Sequence, residues 1–210
     1  MKLADDLQTG LAGLGMDLPA SVRDKLLAFV ALLKKWNRTY NLTAISDEAA
    51  MLSHHVLDSL AVVAAVDRGV MSGRWADVGS GAGLPAIPIA VACPEIEMIS
   101  IESVEKKAAF QRQAKIELGL ANLTVEQRRV EQVEGGRFDA VISRAFAELA
   151  DFVRLAGHLL KPGGRLYAMK GALHDSELEA IPPGWTLIDT LPLHVPGLDA
   201  RRHLLILGRY

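Results

Sequence analysis

Arg74-Trp-Ala-Asp-Val-Gly-Ser-Gly-Ala-Gly-Leu84 runs from a short apolar segment through an acid, Asp77, into three glycines at alternate positions. Glycine there lets the backbone turn sharply and approach a ligand, because no Cβ intervenes. The apolar stretch from Ala86 to Ala92 then reads as a buried helix, so the whole predicts a strand, a tight turn and a helix N-terminus. A purely structural turn would show the same glycines, and the acid separates the two readings. Dinucleotide sites use Gly-x-Gly-x-x-Gly to seat a pyrophosphate on helix N–H groups. Here Gly83 comes one residue early, Leu84 stands in the usual place of the third glycine, and the Asp77 carboxylate would repel a diphosphate. The site asks for a cation. S-adenosylmethionine carries an ammonium and a sulfonium on an adenosine without any phosphate, so the loop reads as a methyl-donor site.

Working outward, short β-rich runs occur at Trp75–Val78, Ile96–Ile101, Leu123–Val125, Phe138–Ser143, Leu166–Met169, Trp185–Leu193 and His203–Leu207. Helical stretches around 86–92, 104–118 and 147–160 separate the first five, the βαβ signature of an α/β fold with a mostly parallel sheet. Val195-Pro-Gly-Leu-Asp-Ala200 joins the last two runs and predicts an antiparallel hairpin at the sheet edge. Residues 3–66 are helical in pattern. Val22, Leu26, Leu27, Phe29, Val30, Leu33 and Trp36 form one apolar stripe on a helix that Pro19 and Ser21 help start. Ser46, with Asp47 and Glu48 behind it, opens a second helix to about Val66. The chain therefore divides into a helical extension, 1–66, and a sheet-containing part, 67–210, expected to form one structural unit.

At 210 residues, half of them apolar, the chain can bury roughly 70% of its unfolded surface. No apolar run approaches the ~18 residues of a membrane span, and Asp5 and Asp6 stand where a secretory signal is apolar, so a cytoplasmic protein is expected. A single cysteine, Cys93, excludes an intrachain disulfide and multi-cysteine metal sites, and reads as a small core residue at a helix end. The net charge of −2 is unevenly spread: basic residues cluster at Lys34, Lys35 and Arg38, at Lys106, Lys107, Arg112 and Lys115, at Arg128 and Arg129, and at Arg201 and Arg202. Such clusters either face a polyanion or are solvated helix faces.

Ligands of such sheets lie over the carboxyl ends of the strands. That rule nominates Asp77 and Gly79; Glu102, whose acid suits ribose hydroxyls; Val130 and Glu131, an apolar wall and a hydrogen-bonding group for adenine; and Ser143 and Arg144. His54, His55 and His203 have no metal-cage spacing, and His55 with Asp58 is expected to brace the helices against the sheet. Lys170, ending the fifth run, is a candidate phosphate contact, and Trp36, Tyr40 and Asn41 candidate contacts for bases, with packing the alternative for Trp36.

Asn37-Arg-Thr-Tyr-Asn-Leu-Thr-Ala-Ile45, His55-Val-Leu-Asp-Ser-Leu60, Asp77-Val-Gly-Ser-Gly-Ala-Gly-Leu-Pro85, Ser143-Arg-Ala-Phe146, Lys161-Pro-Gly-Gly164 and Arg202-His203 together resemble the bacterial small-subunit ribosomal RNA guanine-N7 methyltransferases, from about residue 20 onward. The resemblance implies a Rossmann-like seven-stranded sheet with an N-terminal helical extension, S-adenosylmethionine as donor, and N7 of one guanine in 16S ribosomal RNA as acceptor. It implies donor contacts at Gly79, Leu84, Val130, Glu131 and Arg144, beside Asp77, Gly81 and Glu102. RNA contacts are expected at Asn41, Lys170, Arg201 and Arg202, in a monomer that uses neither metal nor membrane. Two positions depart from the family pattern, Glu102 for an aspartate and Arg201 for a glutamate. Guanine N7 has a lone pair and no proton, so attack on the methyl needs orientation and no general base. Arg144 is the candidate catalytic residue, its fork matching guanine N7 and O6 or, alternatively, the methionine carboxylate.

Overall fold

The computed structural model describes residues 2–67, 69–144, 146, 148–171 and 175–210. Its centre is β1 (Gly73–Val78), whose last four residues are buried on both faces, as a strand covered by helices on either side must be. β1 is flanked by β2 (Ile96–Ile101) and β4 (Phe138–Ser143), with β3 (Leu123–Glu126) beyond β2. On the other side follow β5 (Leu160–Lys170), β7 (His203–Arg209) and β6 (Trp185–Pro192), giving the order β3-β2-β1-β4-β5-β7-β6. The first five strands are parallel, and β7 runs antiparallel to both β5 and β6. The expected seven-stranded, mostly parallel sheet with an edge hairpin is what forms. Strand order reverses between β1 and β4, which opens a crevice at their carboxyl ends.

Helices α5 (Ala86–Ala92), α6 (Glu105–Leu118) and α7 (Leu149–Ala156) make the crossovers. The helix expected over 147–160 is shorter: α7 gives way to a 3-10 turn at Gly157–Leu159, and residue 147 lies outside the described residues. β5 in turn starts six residues before the expected Leu166, because Lys161-Pro-Gly-Gly164 is absorbed as an irregularity in its pairing with β4. A short helix, α8 (Asp175–Glu179), follows β5 and was not expected.

Before the sheet come α1 (Lys2–Gly13), α2 (Ala20–Tyr40), α3 (Glu48–Met51), a π-helical turn (Leu52–Leu57) and α4 (Asp58–Ala65). Asp47, one residue after the expected Ser46, caps α3 by accepting from the Ala50 N–H at 2.9 Å. The π turn widens the helix where it carries His54 and His55, a distortion that recurs at functional sites. Leu7, Phe29, Val56 and Leu60 of these helices share one core with Ile87, Phe110 and Met169 of the sheet and its crossovers. Phe138, Val141, Phe152 and Leu166 form the core on the opposite face. Each such side chain contributes about 1.5–3 kcal/mol by leaving water. Trp36 packs its ring 5.7 Å from Phe110, and Cys93 is buried at the end of α5.

Candidate functional site

The glycines of the β1–α5 loop are needed for their backbone angles. Gly79, Gly81 and Gly83 have φ of 70°, 58° and 77°, a region that costs any residue with a Cβ. A Cβ on Gly81 would point into open space, whereas one on Gly83 would sit 2.3 Å from Ile87 Cδ1. Thus Gly83 lets the loop pack on α5, and Gly81 keeps its outer surface clear.

Polar groups behind the loop fix its shape. Gly79 N–H donates to the Ile101 carbonyl at 3.0 Å, and Gly83 and Leu84 both donate to the Ser80 carbonyl at 2.8 Å. Gln111, fully buried on α6, donates to the Gly81 carbonyl at 2.7 Å and to Ser80 Oγ at 2.8 Å. Its side-chain oxygen accepts from the Ser100 hydroxyl, which lies 2.6 Å from Ser80 Oγ. Glu102 accepts from Gly81 N–H and Val104 N–H, both at 2.8 Å, with one carboxylate oxygen each. Spare lone pairs remain on both oxygens. The sequence reading missed Ser80, Ser100 and Gln111. A signal existed for Gln111, a polar residue in register with Ala108, Ala114 and Leu118 on the buried stripe of α6.

Asp77 lies beneath the loop with no exposed surface. One oxygen accepts from Ala86 N–H at 3.0 Å, at the start of α5, and the other has no partner among the described residues. Burial drives its pKa from 3.8 up to about 7, against the pull of the Ala86 N–H and of Arg144, while Glu102 adds to the rise. A buried acceptor without a donor is costly.

Over the loop is a cavity of about 190 Å³ lined by Leu42, Thr43, His55, Gly79, Ser80, Gly81, Ala82, Leu84 and Arg144. Its one cationic side chain, Arg144, is already bonded through Nη1 to the His54 carbonyl and to Asp58 Oδ2, each at 3.0 Å. Asp58, only 2% exposed, also accepts from Arg202 Nε at 3.3 Å. The expected brace between helices and sheet therefore exists at Asp58, through two arginines. His55, expected to share in that brace, makes its bonds within the N-terminal helical extension instead: Nδ1 is 3.0 Å from the His54 carbonyl and Nε2 2.9 Å from Thr43 Oγ1. A carbonyl can only accept, so Nδ1 carries the proton and Nε2 accepts from the threonine. Burial and the nearby Arg144 lower the His55 pKa to about 4, so the ring is neutral.

Behind Arg144 a second cavity, about 390 Å³, is lined by Ile45, His54, His55, Asp58, Arg144, Met169, Lys170, Gly171 and Arg202. Lys170 lies 2.6 Å from Glu177, a pair about nine-tenths buried that sequence did not anticipate. Val130, half-buried, and Glu131, exposed, form a 3-10 turn after β3 and, like Glu102, lie outside the lining of the first cavity. Asn41, left-handed at φ 47°, ends α2 and lines a third cavity of about 690 Å³ with Lys34 and Arg38. Arg201 is exposed, and no cluster of metal-binding side chains occurs among the described residues.

Residues 22–205 match the family described as GidB, rRNA small subunit methyltransferase G. Curated relatives named ribosomal RNA small subunit methyltransferase G include one from Azoarcus sp., 53% identical over 98% of this chain and 96% of its own length. Another from Aromatoleum aromaticum is 54% identical over 98% of this chain and 99% of its own. Among solved structures, a SAM dependent methyltransferase from Aquifex aeolicus shares the fold, with a TM-score of 0.55 and 14% identity over 75% of this chain and 92% of the other.

Proposed function

The chain belongs to the GidB family of small-subunit ribosomal RNA methyltransferases, and from that premise we propose that it methylates N7 of one guanine in 16S ribosomal RNA. As a member it is an S-adenosylmethionine-dependent methyltransferase of 16S ribosomal RNA. The choice of N7 is supported by one observation: among the described residues, Asp58, the carboxylate bonded to Arg144, and His55, the imidazole that lines both cavities with it, are already engaged and not free to take a proton. Both oxygens of Asp58 face arginines, His55 spends both ring nitrogens, and Lys170 is tied to Glu177. An exocyclic amine would have to lose a proton during transfer. N7 does not.

The donor suits the loop. Asp77, buried beneath the loop and outside the cavity lining, carries an orphaned carboxylate oxygen whose charge favours a cation above it, Gly79, Gly81 and Leu84 line the cavity, and nothing basic on the loop itself invites a diphosphate. Glu102 keeps acceptor capacity for ribose hydroxyls, and Val130 and Glu131 are the candidate adenine contacts. When bound, S-adenosylmethionine supplies a methyl made electrophilic by its sulfonium. The protein's part is orientation, worth several powers of ten when reacting atoms are held about 3–3.5 Å apart. Arg144 cannot grip N7 during transfer, because a hydrogen bond would occupy the lone pair that attacks. Its fork is therefore assigned to O6. Asn41, Lys170, Arg201 and Arg202 are candidate RNA contacts, although Arg202 and Lys170 already hold acids. In this reading the chain works as a cytoplasmic monomer.

The test is transfer of labelled methyl to small ribosomal subunits, followed by chain cleavage chemistry specific for N7-methylguanine. Label on any other atom, or only on low-mass compounds, would overturn the assignment.

A further inference from the structure

The second cavity shares His55 and Arg144 with the donor cavity, so those two side chains form the wall across which a methyl group must pass. At about 390 Å³ it falls within the range of small-ligand pockets. Ile45 and Met169 supply apolar surface for the faces of a flat ring; of the charged groups on the lining, Arg144, Lys170 and Arg202 can only donate, and the Asp58 carboxylate is already held by two of them. That rim discriminates between purines. Guanine presents an acceptor at O6, whereas adenine presents an amino donor there, which would face a cation. The major groove of an RNA helix is too deep and narrow for side chains, so a base read on this edge must first leave its stack.

Asp58 determines where that rim points. Its carboxylate, 2% exposed on the N-terminal helix, accepts from Arg144 on one oxygen and from Arg202 on the other. The His54 carbonyl from the π turn adds a second anchor to Arg144 Nη1, which leaves the rest of the guanidinium to donate. We propose that this cavity receives one guanine lifted out of the RNA, with Asp58 as the positioning residue that aims Arg144 at its O6. The inference rests on the N7 reading above and adds the place of the base and the means of its selection.

The experiment compares wild type with Ile45→Trp, Asp58→Asn and Asp58→Glu on small ribosomal subunits, measuring donor affinity by calorimetry and methyl transfer in single turnovers. Ile45 is a half-buried loop side chain that lines the second cavity and not the first, so an indole there is chosen to fill the former. Ile45→Trp is expected to lower the transfer rate about 100-fold or more with donor Kd within about twofold, since small misplacements at the reacting centre cost that much. Asp58→Asn is expected to lower the transfer rate about 10- to 100-fold at unchanged donor Kd, and Asp58→Glu to recover most of the loss. Ile45→Trp with a rate within about threefold of wild type would overturn the cavity assignment. Donor affinity falling in step with rate in Asp58→Asn would overturn the role of Asp58, because Arg144 would then be serving the methionine carboxylate. Absence of N7 label with the wild type would instead reject the underlying function.

Discussion

Donor binding should release a proton from Asp77, and the effect is large enough to measure. In the ligand-free protein this fully buried carboxyl titrates at about 7, held there by burial and Glu102 against the Ala86 N–H and Arg144. If the methionine ammonium requires the ionised form, the observed Kd carries a factor of one plus the ratio of protonated to ionised Asp77. That factor is about 11 at pH 6 and about 1.3 at pH 7.5, an eightfold difference of about 1.2 kcal/mol. His55, with its pKa near 4, stays neutral throughout, and the α-amino group of the donor stays mostly protonated below its own value of about 7.7–8. Calorimetry in two buffers of different ionisation enthalpy should count about half a proton released per donor bound at pH 7. Asp77→Asn should bind weakly and without the slope. A wild-type affinity flat within twofold from pH 6 to 7.5 would refute the idea that Asp77 is the anion for the donor's charge. The sign for folding is opposite. Between 3.8 and about 7 the folded ligand-free chain holds a proton on Asp77 that the unfolded chain lacks. Stability therefore falls as pH rises through that window, by up to about 4 kcal/mol from this group, and bound donor should restore it.

Gly79→Val should abolish donor binding, because a β-branched residue at φ 70° is strained and displaces the loop; calorimetry showing retained affinity would contradict this. Gln111→Leu leaves the Gly81 carbonyl and the Ser80–Ser100 hydroxyls short of partners. It should destabilise the protein by about 1–3 kcal/mol in urea titrations and raise the KM for donor more than it lowers kcat. Lys170→Met strands Glu177 in a nearly dry site and should cost about 3–5 kcal/mol. Combining it with Glu177→Leu should recover most of that, and failure of the double variant to recover would mean the pair does more than balance charge.

Much of this was legible because it lies in short, contiguous patterns. Strand runs flanked by glycines marked the sheet, and the alternate glycines after Asp77 marked the tight turn between β1 and α5. What stayed hidden depends on residues far apart in the chain. Asp58 meets Arg144 and Arg202 across separations of 86 and 144 residues, and no local spacing announces such a pair. His55 and Asp58, three apart, are both expected to brace the helices against the sheet; only Asp58 does, because His55 lies on the π turn between Leu52 and Leu57 and faces Thr43. The end of α7 was misplaced because Gly157–Leu159 keeps a helical apolar pattern while adopting a 3-10 turn. Lys170 looked like a free cation at a strand end only because Glu177 sits on a short helix that the sequence did not mark.

The same separations bear on what the N-terminal helices are for. A brace alone could be apolar, and the shared core already provides one through Phe29, Val56 and Leu60 packed with Ile87 and Phe110. Nature's addition of a buried carboxylate held between two arginines is hard to explain by stability, since such groups often do no better than well-packed hydrophobic side chains of similar volume. Fixed geometry is what they offer. The Asp58 cluster sits on the wall between two cavities, joins β4 and β7 to the helix that carries His55, and fixes the guanidinium nearest the donor loop. If the extension orients Arg144 for methyl transfer as proposed, its removal should abolish turnover even if the sheet and the β1–α5 loop survived.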